Sequence, residues 1–220
     1  MCAKISPKGL RWFVWSIFFV LLLTIALSWG FYPEKYEFFQ EAVSFLGGQY
    51  SYDLNILNYP SFVIFSTGFV IMGIIAIITS VIYFINMKRF KFAMLKGVLL
   101  FILGLGSAFT GVPWDVAPLV HGFGAFLFIA GVAVVNFVFQ VLRYHKRHVA
   151  KPTTGKRAWD YYWDITFVVI LFVTGTFYLV IQIWGWIPGT TQLISTALAQ
   201  KVVLFAACIA ILLLDVDDVK

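Results

Sequence analysis

The sequence predicts an all-α polytopic membrane protein with six transmembrane helices, forming one integral domain over residues 1–220. Three observations lead there. Hydrophobic residues make up 61% of the chain and charged residues only 12%, with a mean hydropathy of +0.92. A water-soluble domain of this length has too few interior positions to hide so much apolar surface. The apolar residues also fall into six runs, each of about the 20 residues that a helix needs to cross a hydrocarbon core about 30 Å thick. Finally, Lys and Arg are concentrated in alternate connections.

The first run, 12–32, follows Lys4, Lys8 and Arg11, and with five further runs behind it reads as a retained signal anchor rather than a cleaved leader. The second and third, 61–87 and 92–112, are joined by a short turn carrying Lys88, Arg89 and Lys91, with Lys96 counted in the same basic connection. The fourth, 119–142, and the fifth, 161–184, are separated by a loop with Arg143, Lys146, Arg147, Lys151, Lys156 and Arg157; the sixth is 192–214. Backbone groups in lipid must be satisfied internally, so each run is read as a helix. Only Lys35 stands in a connection on the opposite side. Both termini are therefore expected in the cytoplasm, and the protein in the cell membrane as a multi-pass chain.

The net charge of +6 is explained by this topology and by attraction to anionic lipid, so nucleic acid is not an expected partner. His145 and His148 are expected in a solvated loop, Asp160 and Asp164 near the headgroups, and Trp159, Tyr161, Tyr162 and Trp163 in an interfacial belt. Neither Cys2 nor Cys208 suggests a disulfide or metal site, and the acidic tail 215–220 reads as solvated.

Between the first two runs, residues 34–46 place Glu34, Glu37, Glu41 and Ser44 on one side of a helical wheel and Tyr36, Phe39, Val43 and Leu46 on the other. This spacing predicts an amphipathic extracytoplasmic helix, started by Pro33 and stopped by left-handed Gly47-Gly48. Its Glu stripe faces either water or a cavity between the spans. On the same side Asp115 is placed to cap helix four, with Pro118 in its first turn. His121 shares a helix face with Gly124 and Gly131, and small residues mark the packed side of a membrane helix. Gly97, Gly104 and Gly111 form a matching stripe on helix three, which predicts that three packs on four along it. Asn136, Gln140 and Gln182 are expected to hydrogen-bond between helices.

Lys201 lies near the middle of helix six. An ammonium there costs at least about 3 kcal/mol, so it needs a partner in Asp115, Glu41 or Glu37, or it stays neutral, or it climbs to the surface.

The order AVSFLGG, NYPSFVIFSTGFVIMG, GVPWDVAPLVHGFGAFLF and LAQKVVLF, spread over residues 44–214, resembles the domain-of-unknown-function family 998 of six-helix prokaryotic membrane proteins. It is more distantly similar to the eukaryotic DRAM and Frag/Sfk-type membrane proteins. The resemblance implies a six-helix membrane fold and a polar cluster of Ser44, Asn58, Asp115, His121 and the helix-six pair, and it brings no activity with it. Where it implies Glu-Arg in helix six, this chain has Gln200-Lys201.

Three functions compete. In the first, an outer-side pocket binds or handles a lipid or small polar ligand through Glu37, Glu41, Asn58, Asp115, His121, Gln200 and Lys201. In the second, a membrane-embedded hydrolase or transferase uses His121 as base, Asp115 as its orienter, Ser44 as nucleophile and Lys201 to stabilise negative charge. The third is a proton- or ion-coupled transporter with Glu41, His121 and Lys201 as a relay. No cofactor is expected and no metal site, because the spans hold only one His and lack a set of ligands with suitable spacing. Membrane lipid is the expected partner, and association with a second copy is left open.

Overall fold

A computed structural model describes residues 6–150, 158–185, 187 and 195–212. Six α-helices are present: α1 (Pro7–Gly30), α2 (Ser61–Ile85), α3 (Ala93–Thr110), α4 (Pro118–Tyr144), α5 (Ala158–Gly185) and α6 (Thr196–Leu212). Five are long and apolar enough to cross a membrane, and α6 is a shorter apolar helix. The outward faces carry large exposed side chains such as Phe19, Ile74, Phe172 and Phe205, the surface that lipid and not water covers. The chain is thus a multi-pass integral membrane protein. Lys4, residues 151–157, the flanks 192–194 and 213–214 of the sixth predicted span, and the tail 215–220 lie outside the described residues.

Helices adjacent in sequence pack side by side, α6 also meets α4, and α1 touches α6 only sparingly. Glycine sets the closest contacts, with Gly124 and Gly131 of α4 packed on α3 as expected but the α3 stripe turned to another neighbour. The stripe of Gly97, Gly104 and Gly111 faces α2: an added Cβ would meet Phe84 at Gly97, Ile77 and the Gly73 carbonyl at Gly104, and Ser66 and Val70 at Gly111. Ser80 and Ser107 stitch this seam by donating to the carbonyls of Gly97 (2.7 Å) and Phe69 (2.6 Å). α3 meets α4 on another face, where a Cβ at Gly106 would stand 2.6 Å from the Phe128 nitrogen and one at Gly124 would stand 2.5 Å from the Thr110 nitrogen. The spacing of seven identified a packed face without identifying its neighbour, because α3 is covered on two sides.

Two more expectations change. Lys96 is no loop residue. It lies in the first turn of α3 with 1% of its surface exposed, its ammonium 5.1 Å from the Phe139 ring and 5.7 Å from the Tyr83 ring. Of the expected cross-helix amides, Gln140 does bond from α4 to α6, through the Ala210 carbonyl (2.8 Å), whereas Asn136 donates within its own helix to Val132.

The amphipathic helix over 34–46 is absent. The segment makes a turn in which Gln40 and Glu41 donate to the Glu37 carbonyl, then a 3-10 helix over Val43–Gly47. A continuous helix would keep Glu34, Glu37 and Glu41 together on one face, whereas the fold sends each to a different task. Gly47 and Gly48 provide no left-handed stop either. Gly48 has φ −77°, and both glycines are required because any side chain would collide with Phe65 or Trp114.

Replacing Gly104 with Val overpacks the α2–α3 seam, and the expected cost is about 1–3 kcal/mol, read as a lowered thermal midpoint of the purified protein. Gly122→Ala, where a Cβ meets nothing within 4 Å, should leave the midpoint unchanged.

Candidate functional site

Residues 31–60 fold over one end of the bundle without regular helix, so their backbone groups need other partners. Side chains supply many of them. Asp115 accepts from the backbone N–H of Gln49 and of Tyr50, each at 3.0 Å. Asn58, fully buried, donates through Nδ2 to the carbonyls of Leu46 (3.0 Å) and Gly48 (2.8 Å). The Ser61 hydroxyl lies 2.8 Å from the Ser28 carbonyl and 2.9 Å from that of Leu46, tying the loop to the end of α1. Glu34 gathers the N–H groups of Asp53 (3.1 Å) and Leu54 (3.0 Å) and the hydroxyl of Tyr32 (3.2 Å). Phe45 stacks on Tyr52 at 4.0 Å, and both rings lean on Trp114.

These roles separate residues that the sequence reading had grouped. Asp115 caps no helix; α4 begins at Pro118 after Ala117, without a side-chain cap. Nor does Asp115 hydrogen-bond to His121. The His121 Nδ1 faces the Val112 carbonyl at 2.6 Å. A carbonyl can only accept, so Nδ1 carries the proton and Nε2 is an acceptor, buried and with no hydrogen-bond partner among the described residues. The imidazole thus fastens the α3–α4 turn. Glu37 pairs with Lys35 at 2.6 Å on the surface.

Lys201, Glu41, Ser44 and Gln200 are brought together where α6 meets residues 36–44. Lys201 is 8% exposed. Its ammonium donates to the Glu41 backbone carbonyl and sits 5.3 Å from the Tyr36 ring and 5.0 Å from the Phe38 ring. No carboxylate oxygen is within ion-pair distance of it among the described residues. Glu41, also 8% exposed, accepts through Oε1 from the Glu37 N–H (3.1 Å), while its Oε2 is buried without a partner. Ser44 and Gln200 line a cavity of about 20 Å³, room for about one water, together with Thr110 and the rings of Phe65, Phe69 and Phe128. Tyr36 and Phe38 are site residues that the sequence reading missed. Their only signal is aromatic residues two apart in an acidic stretch, which a helical wheel assigns to different faces.

At the other end of the bundle Asp164 is buried, its oxygens 3.2 Å from Arg143 Nη2 and 2.9 Å from His148 Nε2. The expected solvated loop is there folded onto α5. Among the described residues no group of three or more His, Cys, Asp or Glu is placed to hold a metal ion.

The two loop carboxylates titrate in opposite senses. Burial alone would raise Glu34, but the N–H groups of Asp53 and Leu54, with Ser51 and Tyr32, outweigh it and hold the carboxyl below its ordinary value. Its contribution to stability is thus present above the unfolded value, about pH 4.3, and is lost as pH falls through the lower folded one. Glu41 is raised, chiefly by burial, so its contribution is present at low pH and lost as pH rises through its folded value. Amide protection at Asp53 and Leu54, corrected for intrinsic exchange, should persist at pH 5 and fall only below the usual Glu range. Glu34→Ala should remove it at every pH.

No protein-family model, curated protein or solved structure matches the chain, so the functional reading rests on this geometry.

Proposed function

We propose that this integral membrane protein sits in the cell membrane with residues 31–60 on the extracytoplasmic side, and that it binds there the anionic head of a lipid or a small anionic ligand at Lys201. We also read the motif order across residues 44–214 as kinship with family 998.

One observation carries the binding reading: the Lys201 ammonium is buried against two rings and a carbonyl, with no carboxylate paired to it. Aromatic faces attract a cation through their quadrupole without neutralising it, and although the Glu41 carboxyl acts on the ammonium from beyond ion-pair distance, an anion gains most in such a low-dielectric setting. Residues 36–44 form the cover, and a headgroup enters by displacing the exposed Phe38 and Phe39 side. We place catalysis behind binding because no hydroxyl among the described residues hydrogen-bonds to His121 Nε2, the nitrogen that would act as base, and Asp115 is taken up by backbone N–H groups.

The test is thermal stabilisation of the purified chain by short-chain dihexanoyl phosphatidic acid against dihexanoyl phosphatidylcholine. A ligand that binds only the folded state stabilises it by about 2.7 kcal/mol at a hundred times its dissociation constant. The wild type should shift with the phosphatidic acid, Lys201→Arg should keep most of the shift, and a folded Lys201→Met should lose it. An unaltered shift in Lys201→Met would overturn the proposal.

A further inference from the structure

α1 and α6 leave a groove of about 380 Å³ between them, lined by Trp12, Trp15, Ser16 and Leu22 of α1 and by Cys208 and Ile211 of α6. We infer that this groove seats one acyl chain of an anionic phospholipid, drawn from the leaflet at the basic end of the bundle. The inference is independent of the Lys201 reading.

The dimensions fit a chain. At 1.5 Å per residue the α1 lining from Trp12 to Leu22 runs about 15 Å along the helix, half of a hydrocarbon core about 30 Å thick, which is the depth of one leaflet. The volume falls in the range of about 300–1,000 Å³ typical of sites that enclose small molecules. A helix from another protein, about 10 Å across with its side chains, cannot lie in a cleft this small. The lining is apolar: Ser16 spends its hydroxyl on the Phe13 carbonyl of its own helix, at 2.8 Å. Water gains nothing there, whereas methylene groups do. The floor is buried, with Cys208 and Ile211 nearly covered, while Trp12 at the rim is 68% exposed, so the groove opens sideways to the bilayer.

The polar end of the lipid is specified as well. Arg11 lies one residue beyond the mouth, its guanidinium 6.0 Å from the Trp15 ring, within reach of a phosphate and on the side where the basic connections collect. Trp15 Nε1 is buried with no hydrogen-bond partner among the described residues, and an indole N–H can only donate. The ester carbonyls of a phospholipid, directly below its phosphate, supply acceptors. Arg11 suits the phosphate of a phospholipid and Trp15 Nε1 an ester carbonyl below it, and the cation favours a head without a positive charge of its own.

The full chain is reconstituted with equal amounts of palmitoyl-oleoyl phosphatidylglycerol and the matching phosphatidylcholine, then extracted and measured by native mass spectrometry. The wild type should retain phosphatidylglycerol in preference. Ser16→Phe, which fills the groove, should lower retention at least tenfold, and Leu22→Trp serves the same purpose should Ser16→Phe fail to fold. Arg11→Gln should abolish the preference for phosphatidylglycerol, and Arg11→Lys should restore it. Lys201→Met should leave this lipid in place, which separates the groove from the Lys201 site. Retention unchanged in the folded groove variants, an adventitious detergent only, or a dimer in place of bound lipid would each overturn the inference.

Discussion

Unpaired backbone groups are intolerable at the end of an apolar bundle, and residues 31–60 owe their shape to that constraint. The segment has no α-helix and no sheet to absorb its N–H and C=O groups, only a turn at Glu37, a 3-10 helix over Val43–Gly47 and one bridge between Tyr50 and Leu57. Each buried group left unsatisfied costs about 1–3 kcal/mol. Carboxylates and amides from far along the chain therefore take the place of secondary structure: Asp115 serves Gln49 and Tyr50, Asn58 serves Leu46 and Gly48, and Glu34 serves Asp53 and Leu54. Glu34 and Asn58 belong to the loop itself, whereas Asp115 on the α3–α4 turn and Ser61 at the start of α2, which reaches the Ser28 carbonyl of α1, fasten it to the helix ends.

The same constraint explains how far the sequence could be read. Spans are legible because run length and hydropathy belong to one segment at a time, and the described helices fall close to the expected ranges. Contacts between segments are not. The stripe of Gly97, Gly104 and Gly111 identifies a packed face of α3 but gives no sign that α2, rather than α4, fills it. Over 34–46 the wheel of Glu34, Glu37 and Glu41 imitates an amphipathic helix because the periodic reading treats every carboxylate as seeking water. Glu34 instead seeks two N–H groups some twenty residues away. Lys96 shows the converse: a cation beside a basic turn reads as solvated, and only the fold encloses it between Tyr83 and Phe139.

The candidate site was partly legible for a related reason. Lys201 stands out because a charge deep in an apolar helix is costly wherever the fold places it, and Glu41 was among the partners considered. The form of the contact was not foreseeable. The carbonyl of Glu41, and not its carboxylate, receives the ammonium, and Tyr36 and Phe38 take the sides that a counter-ion would occupy. Asp115 and His121, the most conspicuous polar pair in the sequence, turn out to serve the backbone.

Among the described residues aromatic rings stand over a cation at four places: Tyr36 and Phe38 at Lys201, Tyr83 and Phe139 at Lys96, Trp15 at Arg11 and Phe90 at Arg89. A buried carboxylate partner would hold such a cation more strongly but would cancel its field and carry its own desolvation cost. A ring adds about 0.5–2 kcal/mol of attraction and leaves the charge in being. Where rings face a cation, as Tyr36 and Phe38 do at Lys201, they attract the charge while the stem of the long side chain stays buried. The abundance of Phe, Tyr and Trp, 19% of the chain, then has an electrostatic consequence in addition to its packing one. Asp164 and Glu37 pair with cations, whereas Asp115 and Glu34 serve the backbone of the loop, which has too little secondary structure to satisfy it otherwise.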